Sequence, residues 1–170
     1  MRAFWQGKKD WEDRTCIRLR RKGKKDKDYV NFIKGDGCWS YVGRRGGKQD
    51  LSLGQGCWIK GIVSHEIGHA VGFWHEQSRP NRDKFVQILW KNIEKGKASN
   101  FKIIKSIKSL NVPYDYGSVM HYGEKFFSKN GKPTIKPKKK GSKIGQRRGL
   151  SKLDVKQANK LYSGECKKSG

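Results

Sequence analysis

The stretch VSHEIGHAVGFWHEQSRP, Val63 to Pro80, holds His65, His69 and His75, three of the four histidines in the chain. Apolar residues at Ile59, Ile62, Val63, Ile67, Ala70 and Val71 recur close to helical spacing, so WIKGIVSHEIGHAVG is expected to be a helix. Gly72 stops it, because glycine accepts the left-handed position after a helix without steric cost. Positions i and i+4 share a helix face, which aims His65 and His69 at one point. A sharp turn at Gly72 then allows His75 to swing back as a third ligand. Three imidazoles around one open position is how catalytic zinc is held, whereas structural zinc is closed off by four ligands. Glu66 is poorly placed as a ligand but well placed to hydrogen-bond a water in the open position. Zinc lowers the pKa of such a water to about 7, and a carboxylate beside it can take the proton. The reaction class this constellation implies is amide hydrolysis. The extended pattern H-E-x-x-H-x-x-G-x-x-H specifies five positions, three of them histidine, so a chance match is improbable.

Composition sets the frame around that helix. A chain of 170 residues suits one domain and can bury roughly 70% of its unfolded surface. Hydrophobic residues make up only 34%, but six tryptophans add large apolar area, which argues against disorder. No run of about 18 apolar residues is present to span a membrane. The formal charge of +25 comes from 40 Lys and Arg against 15 Asp and Glu, with a peak at KPKKKGSK, Lys136 to Lys143. Such a surface attracts polyanions, anionic glycans among them, or is simply a soluble, solvated face. No standard nucleic-acid-binding motif accompanies it, so no specific nucleic-acid partner is expected.

Cys16, Cys38, Cys57 and Cys166 form no C-x-x-C pair, which disfavours a zinc ribbon or a thioredoxin-type site. An even count at wide spacing fits two disulfides in an oxidising, extracellular compartment, with three pairings open. MRAFWQGKKDWED has no apolar core of the kind a signal peptide needs. The expectation is therefore a secreted protein whose export signal was removed, or a fragment of something longer.

Outside the histidine helix, the opening reads as the end of a helix running into a strand that begins near Ile17. DYVNFI (Asp28 to Ile33) and CWSYVG (Cys38 to Gly43) read as strands, and KQDLSLG as a shorter one. KFVQILWKNI fits either a strand or a helix, SNFKIIKS a short helix, and NVPYDYGSVMHYG an ordered loop. LSKLDVKQANKLY, Leu150 to Tyr162, opens with Ser-x-x-Asp and is expected to be the last helix.

HEIGHAVGFWHEQSRPNRD followed by YGSVMHYG resembles the astacin metalloproteases, a branch of the metzincins. The likeness runs from about Cys16 to Cys166 and includes GCWSYVGRRGG, SVMHY and IGQRRGLSKLDVKQANKLY. It is nearest the tolloid-like and hatching-enzyme-like members. The resemblance implies an α+β metzincin fold with a twisted sheet, a zinc-binding helix, a C-terminal helix and a cleft between two lobes. The whole chain, 1–170, would be one peptidase domain, with an upper lobe of about 1–72 and a lower lobe of about 73–166. It further implies that His65, His69 and His75 bind one zinc, that Glu66 is the general base, and that Met120 floors the metal. Tyr122 would ligate zinc at rest and swing away to stabilise the oxyanion. Disulfides Cys16–Cys166 and Cys38–Cys57 would follow. CWSYVG, with Trp39 and Tyr41, resembles the cleft-edge strand that pairs with an extended substrate. Arg147 or Arg148 falls near where relatives place an arginine in the S1′ pocket, which implies preference for an acidic residue there.

The sequence departs from the family in two ways. Only fifteen residues precede Cys16, so the family's mature N-terminus, its first strand and much of its first helix are expected to be missing. In the family a buried terminal ammonium reaches the glutamate after the third histidine, so Glu76 is expected to lack its partner. The charge is also far more basic than the fold requires. The expected function is a zinc endopeptidase acting on protein or peptide substrates. The alternatives are a catalytically impaired metal-binding fragment and a basic polyanion-binding module.

Overall fold

The computed structural model describes residues 2–167. Helix α1, Arg2–Arg14, is amphipathic and buries Trp11 against the histidine helix α2, Lys60–Val71. The Trp11 indole N–H donates to the Ser64 carbonyl at 2.9 Å, so this large ring is both fully buried and hydrogen-bonded. Strands β1 (Tyr29–Ile33), β2 (Cys38–Ser40) and β3 (Lys48–Leu53) form one sheet in the order β1-β3-β2. The β1 strand runs parallel to β3, while β2 runs antiparallel with Trp39 opposite Ser52. Leu51 and Leu53 of β3 pack with Trp11, Val63 and Ile67 in the first apolar cluster.

Strand β4 (Val86–Ile88) pairs antiparallel with β5 (Ile135–Pro137), where Ile88 faces Ile135. These strands, with Phe101, Tyr114 and Tyr122, form a second cluster. Helix α3, Lys152–Leu161, starts on a complete capping box between Ser151 and Asp154, as the Ser-x-x-Asp opening implies. A last turn, α4 (Ser163–Cys166), brings Cys166 to its bond with Cys16, and Cys38 is bonded to Cys57. Cross-links that close a loop spanning 150 positions contribute about 5 kcal/mol in the chain-entropy account. Met120, Leu150 and Ala158 belong to the first cluster, so the chain returns from the second half to complete the core of the first. The cleft lies between the two clusters. Among the described residues no helix is long and apolar enough to cross a membrane.

Three expected elements differ, and KFVQILWKNI, open between strand and helix, forms some of each. No strand forms at Ile17: its N–H turns back to Thr15 Oγ1 at 3.1 Å, and the Leu19 N–H donates to Glu12 Oε1 at 2.8 Å. A strand exists only through a ladder with a neighbour, and among the described residues no backbone bond joins this segment to β1, although Ile17 and Leu19 pack near Val30. SNFKIIKS is helical only as a 3-10 turn over Ala98–Phe101, pinned by the fully buried Phe101. The β-branched Ile103 and Ile104 do not continue it, and Ile104 N–H instead reaches the Ser78 carbonyl at 2.8 Å. KFVQILWKNI divides into β4 and a 3-10 turn at Trp90–Asn92. CWSYVG is a strand only as far as Ser40: β3 continues to Lys48, but the chain leaves it. Gly43 N–H donates to the His69 carbonyl, while the Gly43 carbonyl accepts from the Gln49 side chain.

Candidate metal centre and cleft

His65 and His69 project from one face of α2, one turn apart. Gly72 adopts φ 113°, and its N–H closes the helix on the carbonyls of Gly68 and His69. A side chain would be strained in that backbone region, so the reversal that returns His75 depends on this glycine. The Nε2 atoms of His69 and His75 are 3.2 Å apart, and those of His75 and His65 are 3.3 Å apart. Tetrahedral zinc with Zn–N of about 2.0–2.1 Å requires ligand nitrogens about 3.3 Å apart.

The other ring nitrogens explain how the rings are held. His65 Nδ1 is 2.8 Å from the Val119 carbonyl, and His69 Nδ1 is 2.8 Å from the Phe73 carbonyl. A carbonyl only accepts, so each Nδ1 carries the proton and each Nε2 presents a lone pair to the centre. Lone pairs this close repel one another without a cation among them. Burial pushes all three imidazole pKa values down, with the neighbouring rings and Arg147 adding to the effect at His65 and His75. The rings are therefore neutral, as metal ligation demands. The residues present fit zinc.

Around this point the cleft encloses about 620 Å³. Glu66 lines it and is buried, with Oε2 left without a hydrogen-bond partner. Desolvation raises its pKa to about 7, against the pull of Arg147. The Tyr122 ring centroid is 4.5 Å from that of His75, and burial raises its hydroxyl pKa to about 12. Met120 lies beneath α2: a Cβ on Gly68 would meet its sulfur at 2.7 Å, so the methionine fits only against bare backbone.

Comparison with known proteins gives the family and the fold. Residues 1–163 match the family model described as Astacin, a peptidase family. The chain belongs to the astacin family. It is 51% identical over 156 residues to zinc metalloproteinase nas-13 of Caenorhabditis elegans, covering 91% of this chain and 35% of that protein. It is 44% identical over 167 residues to blastula protease 10 of Paracentrotus lividus, covering 92% of this chain and 27% of that one. The chain thus spans about a third of the length of such curated relatives. A solved structure, high choriolytic enzyme 1, a hatching enzyme zinc-protease from Oryzias latipes, superposes with a TM-score of 0.89 at 40% identity. It is matched over 95% of this chain and 82% of that one. The fold is the metzincin fold of astacins.

Within this astacin cleft the remaining expected residues separate. Trp39 lines it from β2, an outer strand of its sheet, whose far edge pairs with no other strand among the described residues. Tyr41 packs edge-on against Trp39, with centroids 6.0 Å apart, and lies outside the lining. Arg147 lines the cleft, with Nη1 donating to the carbonyls of Gln146, His121 and Val119 at 2.8, 3.1 and 3.2 Å. Arg148 does not line it: its side chain is exposed and borders a different pocket. Of the two arginines, Arg147 and not Arg148 is therefore in the cleft lining.

Glu76 is not without a partner. Arg79 Nη1 donates to its Oε1 at 2.8 Å, and the Asp115 N–H donates to the same oxygen at 2.8 Å. Both side chains of this ion pair are buried. Desolvation still holds the Glu76 pKa up at about 7, against Arg79 and the Asp115 N–H. The Glu-x-x-Arg spacing in HEQSR is a readable signal for the pair. Sequence reasoning also missed Gln77, whose Oε1 accepts from the Tyr122 N–H at 3.1 Å, and Asp154, which holds Val119. His121, the fourth histidine, is a buried structural residue whose Nε2 is 2.7 Å from the Tyr114 hydroxyl.

Proposed function

We propose that this chain is a single zinc-dependent endopeptidase domain that hydrolyses peptide bonds in extended protein segments. The observation that carries the reading is the convergence of three imidazole nitrogens within 4.8 Å of one another, with His75 Nε2 at tetrahedral spacing from the other two and Glu66 beside them in an open cleft. His65, His69 and His75 would hold one zinc per chain. When bound, zinc supplies Lewis acidity toward the scissile carbonyl and toward water.

Glu66 takes a proton from the attacking water and returns it to the leaving amine; a pKa near 7 suits both duties. The Tyr122 hydroxyl stays protonated at neutral pH and donates to the oxygen that gains charge as the carbonyl becomes tetrahedral. The substrate backbone pairs with the free edge of β2, and Arg147 favours an acidic side chain just beyond the cleaved bond. Two disulfides suit a secreted, extracellular protein.

The deciding experiment is cleavage of a broad quenched-peptide library by the oxidised, zinc-loaded chain beside Glu66→Ala. Cleavage by the wild type alone supports the proposal. A folded wild-type sample containing zinc that cleaves nothing overturns it.

A further inference from the structure

A second pocket, of about 540 Å³, shares no lining residue with the cleft. Its charged walls are Arg14, Lys60, Lys143 and Arg148. Asp10 lies close behind, 3.3 Å from both Arg14 Nη1 and Lys60 Nζ, and it also accepts from Leu150 N–H and Ser64 Oγ. Arg14 and Lys60 thus share Asp10, while the Asp115 and Asp154 carboxylates behind the wall are engaged by Gly117 N–H, Ser151 Oγ and Ser151 N–H. Among the described residues this leaves Lys143 and Arg148 as the cations of the wall that no carboxylate meets. Lys143 and Arg148 are exposed, and among the described residues neither forms an ion pair. The lysine run KPKKKGSK leads along the chain into the pocket and enters its lining at Lys143.

We propose that this pocket and the lysine run leading to it anchor a linear sulfated polysaccharide. Like charges gathered on a concave wall concentrate the potential that draws in an anion. Single-stranded nucleic-acid sites interleave their cations with aromatic stacking platforms. No aromatic residue lines this pocket or occurs between Lys136 and Lys143. A sulfated chain asks only for repeated charge. The site lies outside the cleft, so occupancy holds the protein on a polyanionic matrix while leaving the cleft open to substrate.

The test is binding of the oxidised, zinc-loaded chain to a size-defined heparin oligosaccharide across a salt series. Lys143→Ala/Arg148→Ala is compared with a charge-matched double in the upper sheet's loop, Lys24→Ala/Lys27→Ala. At about 0.15 M salt the pocket double is expected to bind about tenfold more weakly, with a salt slope shallower by about two. The control double is expected to lose about twofold or less. Desulfated oligosaccharide is expected not to bind, and peptide cleavage by both doubles is expected to match wild type, which shows that they fold. Equal losses in the two doubles overturn the site. Single-stranded DNA of matched charge binding as tightly as heparin, with the same loss in the pocket double, overturns the glycan assignment. Absence of heparin binding at that salt overturns both.

Discussion

The carbonyl oxygen of Val119 lies 2.8 Å from Nδ1 of His65, and the N–H of the same residue donates to Asp154 Oδ2 at 2.9 Å. One peptide segment thus links the N-terminus of α3 to a candidate metal ligand. Ser118 Oγ tightens the link by donating to Asp154 Oδ1 at 2.6 Å. Asp154→Ala is therefore expected to weaken zinc binding by about 10–100-fold, the usual effect of losing an outer partner of a ligand. Asp154→Asn retains one acceptor and is expected to fall between. Zinc competition against a chromogenic chelator measures both variants, and an unchanged affinity in Asp154→Ala contradicts the link.

Tyr122→Phe removes the hydroxyl and leaves the ring that packs against His75 and Phe101. A donor that acts only in the transition state costs about 10²–10³ in kcat when deleted. The expected result is that loss with KM nearly unchanged and zinc content intact. A rise in KM at constant kcat, seen in steady-state kinetics, would instead assign Tyr122 to substrate binding.

Arg147→Gln is expected to reduce the preference for an acidic over a neutral residue after the scissile bond by about 10-fold or more. The ratio of kcat/KM for two peptides differing only at that residue is the readout. That ratio is insensitive to any general loss of activity from disturbing the three carbonyl contacts of Arg147.

Glu76→Ala leaves the buried Arg79 guanidinium with carbonyl acceptors at Val112 and Pro113 but no counter-charge. Removing one partner of a buried pair costs about 3–5 kcal/mol. Urea unfolding of the zinc-loaded protein should show this loss. A change near zero would mean that the pair is solvated in solution.

Asp26 is held below the ordinary aspartate range, first by the Arg20 guanidinium and then by the Gly23 N–H. A folded pKa below the unfolded value contributes stability that is present above the unfolded pKa and lost as pH falls through the folded one. The wild type should therefore melt above Asp26→Asn at neutral pH. The gap should close as acid takes the solution below the ordinary range near 3.8. A gap that persists in strong acid would trace the effect to something other than this carboxylate.

Much of the metal site was legible because helical periodicity is a local property. Two histidines four residues apart, a glycine stop and a third histidine are all written within a few turns of chain. The capping box at Ser151 and the ending at Gly72 were readable for the same reason. The strand expected at Ile17 was not realised, because strand formation depends on a neighbour and not on the residues alone. The helix expected in SNFKIIKS gave way where burying Phe101 and bonding Ile104 to Ser78 outweighed local preference.

By itself the sequence determined which side chains meet at one point on α2, how many cysteines await partners, and how basic the surface must be. Only the tertiary structure decided which arginine faces the cleft, that Glu76 is paired, and that Val119, 54 positions from His65, orients it. The reason is physical. The imidazole partners are backbone carbonyls, which every residue carries, so no residue type marks them, and their place is set by packing across the whole domain.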